Sequence, residues 1–318
     1  MRKGLLFFVV AALVFSLTAI GYAAKYPIKP VKIIVAFSAG GGTDTAARVM
    51  AKFAKKYFPQ PFVVINKPGA GGQIGFEALA FSRKDGYTIG FINTPHVVSH
   101  YVSGRAKYKL SDFQPICNVV TDPGVLAVRA NDNRFKTLKD IVEYAKKHPG
   151  KLSAATTGPG GDDSIALALF TDEANIKIKD VPFGGSSKEK AALLGGHVDI
   201  GMVNVSQIWS LVSAGKLRMI AVMTKKRLPY LPKIPTFKEF GYEVYSDSSR
   251  GIAAPKGIPE YAFKKLSETF AKVMKDPGFI KEAKKIHLLL NYMDAKQFEE
   301  YLKAEEKLIR KVYKKHPW

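Results

Sequence analysis

Glycine clusters set directly behind short β-branched runs constrain this chain more than any other feature. Val31-Lys32-Ile33-Ile34-Val35-Ala36-Phe37 has the length and composition of a strand, and Ser38-Ala39-Gly40-Gly41-Gly42 breaks it. Ala46, Ala47, Val49, Met50 and Phe53 follow at helical spacing, with Thr43 or Asp44 placed to cap them. The pattern then repeats. Residues 62–65 read as a strand, Asn66-Lys67-Pro68-Gly69-Ala70-Gly71-Gly72 as a turn, the segment to about Phe81 as a helix, and residues 88–92 as a strand. Strand, glycine turn and helix in repetition build an open, largely parallel α/β sheet.

Asp122-Pro123-Gly124 interrupts the series, which then resumes. Strands are expected at 125–128, 152–156, 179–183, 198–203 and 217–223. Thr137-Leu138-Lys139-Asp140 has the pattern of a capping box, and His148-Pro149-Gly150 stops the helix it opens. Further helices are expected at 165–173, 188–194 and 206–214, the first of them capped by Asp162 or Asp163 behind the turn Gly158-Pro159-Gly160-Gly161. From Pro259 the chain is mainly helical, with a strand candidate at 288–292. The tail from about Gly251 is too thin for a third core, so it should return to the first unit. The expected organisation is a leader over 1–24, one lobe from 25–124 plus 249–318, and a second from 125–248. Crossing strands would join the lobes, with a ligand cleft between them.

The leader is read from Arg2 and Lys3, the apolar run from Leu5 to Leu17, and the small residues of Gly21-Tyr22-Ala23-Ala24. This is the layout of a secretory signal peptide cut after Ala23 or Ala24; an uncleaved anchor is the alternative. No Cys follows the run, which argues against a lipid anchor, and no other segment is long and apolar enough to span a bilayer. The one cysteine, Cys117, lies in the apolar stretch 113–120 and reads as a small buried hydrophobe, so the exported protein has no internal disulfide. The formal charge of +22 raises nucleic acid, anionic membranes and anionic ligands as partners. The lysines are spread over helical faces, with no basic arm or aromatic-basic RNA signature, so nucleic acid is set aside.

Catalytic constellations are scarce. No Gly-x-Ser-x-Gly elbow or Walker motif occurs, and Cys117 has no activating neighbour in sequence. His96 and His100 stand four apart, but Pro95 precedes them and no acidic residue lies between; no metal and no cofactor is assigned. The three glycine turns at 40–42, 69–72 and 158–161 are generic anion cradles, because glycine permits close backbone approach and the next helix offers free N–H groups. Two of them facing across a cleft would hold a carboxylate. Asp162-Asp163 has two readings, helix capping or recognition of a donor group on the ligand.

With these residues in order, the chain resembles the periplasmic solute-binding proteins of tripartite tricarboxylate transporters, the Bug proteins. The resemblance is carried by Ala39-Gly40-Gly41-Gly42-Thr43-Asp44 with Ala47-Arg48, by Asn66-Lys67-Pro68-Gly69-Ala70-Gly71-Gly72, and by Asp85-Gly86-Tyr87-Thr88. Leu193-Leu194-Gly195-Gly196-His197-Val198-Asp199, Ala214-Gly215-Lys216-Leu217-Arg218 and Leu231-Pro232-Lys233-Ile234-Pro235-Thr236 extend it over nearly all of the mature chain. It implies an α/β, two-lobed type II periplasmic-binding-protein fold. It also implies capture of a mono-, di- or tricarboxylate by cleft closure and delivery to a membrane partner of one large and one small subunit, the binding protein itself being a monomer and not an enzyme. The implied ligand-binding residues are Phe37, Ser38, Ala39, Gly42, Thr43 and Asp44 from the first loop, and Thr157, Gly158, Gly161, Asp162 and Asp163 from the second. Thr94, Asn204 and Arg250 complete the set. Many members carry serine and histidine where this chain has Gly161 and Ser164; Asp162-Asp163 and Arg250-Gly251 look like a subgroup closer to the tricarboxylate binders. There Arg250 would neutralise a distal ligand carboxylate, against the alternative of a surface arginine. A sensor input presenting the same ligand to a membrane receptor, or an exported enzyme acting on a carboxylate, are the competing functions.

Overall fold

The computed structural model describes residues 26–318, so the expected leader lies outside the described residues. Strand β1 (Val31–Val35) is buried except at Lys32 and pairs in parallel with β2 (Phe62–Asn66) and β3 (Thr88–Asn93). Its alternating side chains serve two faces. Val31, Ile33 and Val35 pack with Ala46, Ala47 and Met50 of helix α1 (Gly42–Ala54), while Ile34 packs with Phe76 and Leu79 of α2 (Gln73–Ala80). A strand covered on both faces has to be mostly apolar, which is why residues 31–37 stand out in the sequence despite the exposed Lys32. The short helix α3 (His96–Val102) follows β3.

Strand β4 (Phe113–Arg129) ties the molecule together. Its first part, to Pro123, pairs antiparallel with β9 (Asp247–Pro255), which also pairs with β3. From Gly124 it pairs instead with β7 (Ile200–Asn204) and β8 (Leu217–Val222) of a second sheet, which continues through β5 (Ser153–Thr156) to β6 (Lys179–Pro182). The expected break at Asp122-Pro123-Gly124 is therefore corrected: the strand runs through it. Proline and glycine stand where the strand changes partners. The Gly124 N–H donates to the Ser246 carbonyl at 2.8 Å, and the Gly124 carbonyl accepts from Met223 N–H at 2.8 Å, so the backbone stays paired through the hand-over. β9 was not read as a separate strand, because its polar first half Asp247-Ser248-Ser249-Arg250 hides it.

The second sheet carries α4 (Leu138–Lys147), α5 (Asp162–Glu173), α6 (Ser186–Leu194) and α7 (Val205–Ser213). The capping box at Thr137 and Asp140 forms as expected. The C-terminal helices α8 (Glu260–Lys275), α9 (Pro277–Lys285) and α10 (Ala295–Lys315) do return to the first sheet. Leu266, Phe270, Val273 and Phe279 join the core of β1 and α1, and Phe298, Leu302 and Ile309 join that of α2 and α3. β10 (Leu290–Met293) adds to β4. Among the described residues no helix is long and apolar enough to cross a membrane.

Cys117 is 1% exposed in β4, and burial alone pushes its thiol far above the ordinary range. Thiolate is the reactive species. Cys117 is expected to resist iodoacetamide in the folded protein at pH 8 and to react fully in denaturant; labelling at equal rates in both would contradict its burial.

Candidate ligand-binding site

Three strand-to-helix turns meet in one cavity at the hand-over between the sheets. α1 enters from the first sheet; α5 and α6 enter from the second. The cavity is narrow, about 40 Å³. The first turns of α1 and α6 face each other: a Cβ built on Gly41 would come 3.6 Å from the Ser186 hydroxyl and 3.8 Å from that of Ser187. The first N–H groups of a helix have no acceptor inside it, so two partly positive helix ends converge on the cavity.

Both glycine turns place a carboxylate inside the loop. Gly41 and Gly161 occupy the positions just before the helices, so neither Thr43 or Asp44 nor Asp162 or Asp163 is a cap, which corrects that expectation. Asp44 lies inside the helical turn and accepts from Gly40 N–H, Arg48 Nε and Asn66 Nδ2, each at 2.9 Å. Burial works to raise its carboxyl, but these donors hold it below the ordinary value. Asp163 accepts from Thr157 N–H at 2.7 Å, from the Thr157 hydroxyl at 2.8 Å and from Ser164 N–H at 2.7 Å. A Cβ on Gly161 would strike Asp163 and Thr157 at 2.5 Å, so only glycine fits there.

Of the residues singled out from the sequence, Phe37, Ser38, Gly42, Thr43, Thr157, Asp162, Asn204 and Arg250 line the cavity. Ala39, Asp44, Gly158, Gly161 and Asp163 belong to the same loops but do not line it. Thr94 lies at the strand crossing, where its hydroxyl accepts from Ser249 N–H at 3.2 Å and meets the Tyr301 hydroxyl at 3.2 Å. The sequence reading takes Gly41 only as part of its turn and His96 only as a metal candidate, and it misses Asn93, Gln207, Ser248 and the turn Gly184-Gly185-Ser186-Ser187-Lys188. That turn follows a strand and opens a helix like the other glycine turns, so the same signal would have found it. His96 and His100 do not converge on a metal. His96 Nε2 meets the Thr157 hydroxyl at 3.0 Å and His100 Nε2 meets the Gly71 carbonyl at 2.9 Å. Among the described residues no group of three or more metal-ligating side chains forms.

Arg250 is 1% exposed and is not a surface residue. Its Nη2 donates to Asp122 Oδ2 at 2.8 Å and to Asn204 Oδ1 at 3.2 Å; its Nη1 has no partner. The guanidinium lies against Gly42, where a Cβ would come 2.9 Å from Nη1. Asp122 also accepts from both the N–H and the hydroxyl of Ser206, and was not singled out from the sequence. A buried, unpaired N–H on a cation is costly unless something accepts from it, and a ligand oxygen in the cavity can.

Asp162 accepts from Asn204 Nδ2 at 2.7 Å. Burial pushes its carboxyl up to about 7, outweighing Asn204 and the charge of Arg250. Burial, helped by the charges of His100, Arg250 and Arg105, pushes His96 down to about 3, so its ring is neutral.

The comparisons with known proteins decide what kind of molecule this cavity belongs to. The family model described as "Tripartite tricarboxylate transporter family receptor" matches residues 46–316. The chain belongs to that family. It is 31% identical over 295 residues to the "UPF0065 protein in gbd 5'region" of Cupriavidus necator, covering 91% of this chain and 89% of that one. The solved structure of the periplasmic binding protein BugD superposes with a TM-score of 0.83 at 28% identity, covering 91% of this chain and 98% of BugD. That of R. palustris Rpa4515 with adipate superposes with a TM-score of 0.84 at 27% identity, covering 91% and 97%. The fold is thus the two-lobed fold of these binding proteins, and the family is one of periplasmic receptors, not one defined by a reaction.

Two predictions follow from the buried charges. Arg250→Met should destabilise the protein by about 3–5 kcal/mol, because it strands Asp122. The double variant Arg250→Met/Asp122→Asn should recover much of that in denaturant unfolding; no recovery would contradict the pairing. Asp162 has a folded value above its unfolded one, so the fold holds a proton that the unfolded chain releases, and stability falls as pH rises from about 4 to about 7. Asp162→Asn should therefore gain thermal stability over the wild type across that window, with the gain level above it. A gain independent of pH would contradict the assignment.

Proposed function

We propose that this receptor captures a small carboxylate outside the cytoplasm and delivers it to the membrane subunits of a tripartite tricarboxylate transporter. The observation that carries the reading is the unpartnered Arg250 Nη1, buried in a cavity onto which the first turns of α1 and α6 converge from opposite sheets. All three offer donors, and a carboxylate is the small group that accepts from several at once. Rpa4515, solved with adipate, supports the ligand class.

In this reading residues 25–124 plus 249–318 and residues 125–248 are the two lobes, hinged where β4 and β9 cross. The ligand is held by both, which favours the closed state. Arg250 takes one carboxylate oxygen through Nη1 while Asp122 holds Nη2 in place. The N-terminal leader exports the chain, a monomer meets one large and one small membrane subunit, and no reaction is carried out on the ligand.

The test is thermal unfolding of the chain lacking residues 1–24 against carboxylates with one to three acid groups, amino acids, sugars and short oligonucleotides. A ligand at 100 times its Kd adds ~2.7 kcal/mol. For a chain of this size that is a shift of several degrees, at about 2–4 °C per kcal/mol. Shifts confined to carboxylate-bearing compounds are expected. Shifts with sugars or oligonucleotides alone, or none after refolding from denaturant to strip bound ligand, would contradict the reading.

A further inference from the structure

The Asp162 side of the cavity is built differently from the Arg250 side. Thr157 gives its hydroxyl proton to Asp163 at 2.8 Å, so in the 3.0 Å contact with His96 its oxygen accepts, and His96 Nε2 carries the ring proton. The neutral ring then presents Nδ1 as a lone-pair acceptor. Nδ1 is buried and has no partner. It stands 4.0 Å from Asp162 Oδ1, too far for a direct hydrogen bond and short enough for one donor atom to reach both. Asp162 Oδ2 is already taken by Asn204 at 2.7 Å. Both His96 and Asp162 line the cavity, and each is at least nine-tenths buried. The cavity therefore holds an unpartnered buried donor, Arg250 Nη1, and an unpartnered buried acceptor, His96 Nδ1, with Asp162 Oδ1 across a gap from it.

A plain carboxylate brings acceptors only. It would satisfy Arg250 and leave His96 Nδ1 buried beside Asp162 with nothing to accept from, which costs free energy. We infer that His96 Nδ1 and Asp162 Oδ1 form a subsite for a hydrogen-bond donor on the ligand, a hydroxyl or an ammonium, so that the substrate class is a hydroxy- or amino-carboxylate. This rests on the carboxylate-capture reading and narrows it. A site built around a substrate donor discriminates against the analogue lacking it, because its own buried groups are then left unpaired.

The experiment is isothermal titration at pH 8 with two series matched in length: succinate, malate and aspartate, then glutarate, 2-hydroxyglutarate and glutamate. In at least one series the hydroxy or amino member should bind about ten-fold tighter or more than the plain diacid. Which member wins separates a hydroxyl from an ammonium. Asp162→Asn, checked for folding by circular dichroism, should shrink that ratio to within about three-fold. A variant that merely loosens the structure would weaken every ligand alike and keep the ratio, which would overturn the role of Asp162. Equal binding of plain and donor-bearing acids to the wild type would overturn the subsite while leaving carboxylate capture standing. Binding of no member of either series would overturn the subsite, and carboxylate capture would then stand or fall on the thermal panel of mono- and tricarboxylates.

Discussion

A guanidinium that keeps 1% of its surface has to be neutralised where it lies, and the cleft is organised around that requirement. Arg250 sits on β9 and Asp122 on β4, the two strands that pair at the crossing between the sheets. Their ion pair holds Nη2 and leaves Nη1 without a partner on a side chain that lines the cavity. Gly42 must lack a side chain for the guanidinium to lie flat on the start of α1. Asn204 bonds both the guanidinium and Asp162, so the same network ties the β7 end to the α5 start. Removing one charge is expected to cost more than removing both because it leaves the other buried without its partner.

The loops obey a related rule. Asp44 and Asp163 each turn back from the first turn of a helix to bind N–H groups of the preceding loop, and so freeze the backbone that faces the ligand. In both, a glycine stands at the position just before the helix. The consequence is a pair of loops whose backbone is held by carboxylates that do not line the cavity. Charged and titratable side chains at the cavity then carry much of the selectivity: Arg250 and Lys188 supply positive charge, and His96 and Asp162 stand together elsewhere in the lining.

Much of the fold was legible in the sequence, for physical reasons. Buried parallel strands such as 31–35 are apolar apart from the exposed Lys32, and glycine turns mark several of the strand-to-helix passages. The return of the C-terminal helices followed from their being too thin to make a core. What hid from the sequence was whatever depended on pairing across distance. Asp122-Pro123-Gly124 looks like a break because proline and glycine usually are one, and only the change of partners at that point keeps the strand going. Arg250 could be singled out, but Asp122, 128 residues away, carries no local mark of its partner. His96 was weighed as a metal ligand and set aside; its place beside Thr157 comes from the approach of α3 to the β5–α5 loop, which no spacing encodes. The turn at 184–188 was overlooked because it carries two glycines where the others carry three or more.

The central claim is that one ligand is held at once by the starts of α1 and α6, from opposite sides of the cleft. Amide hydrogen exchange with and without a saturating carboxylate measures this directly, since both helix starts carry N–H groups free of helical bonds. Slowed exchange at Gly42 and Thr43 together with Ser186, Ser187 and Lys188 is the expected result. Protection on only one side of the cleft, or protection elsewhere with both helix starts unchanged, would contradict it.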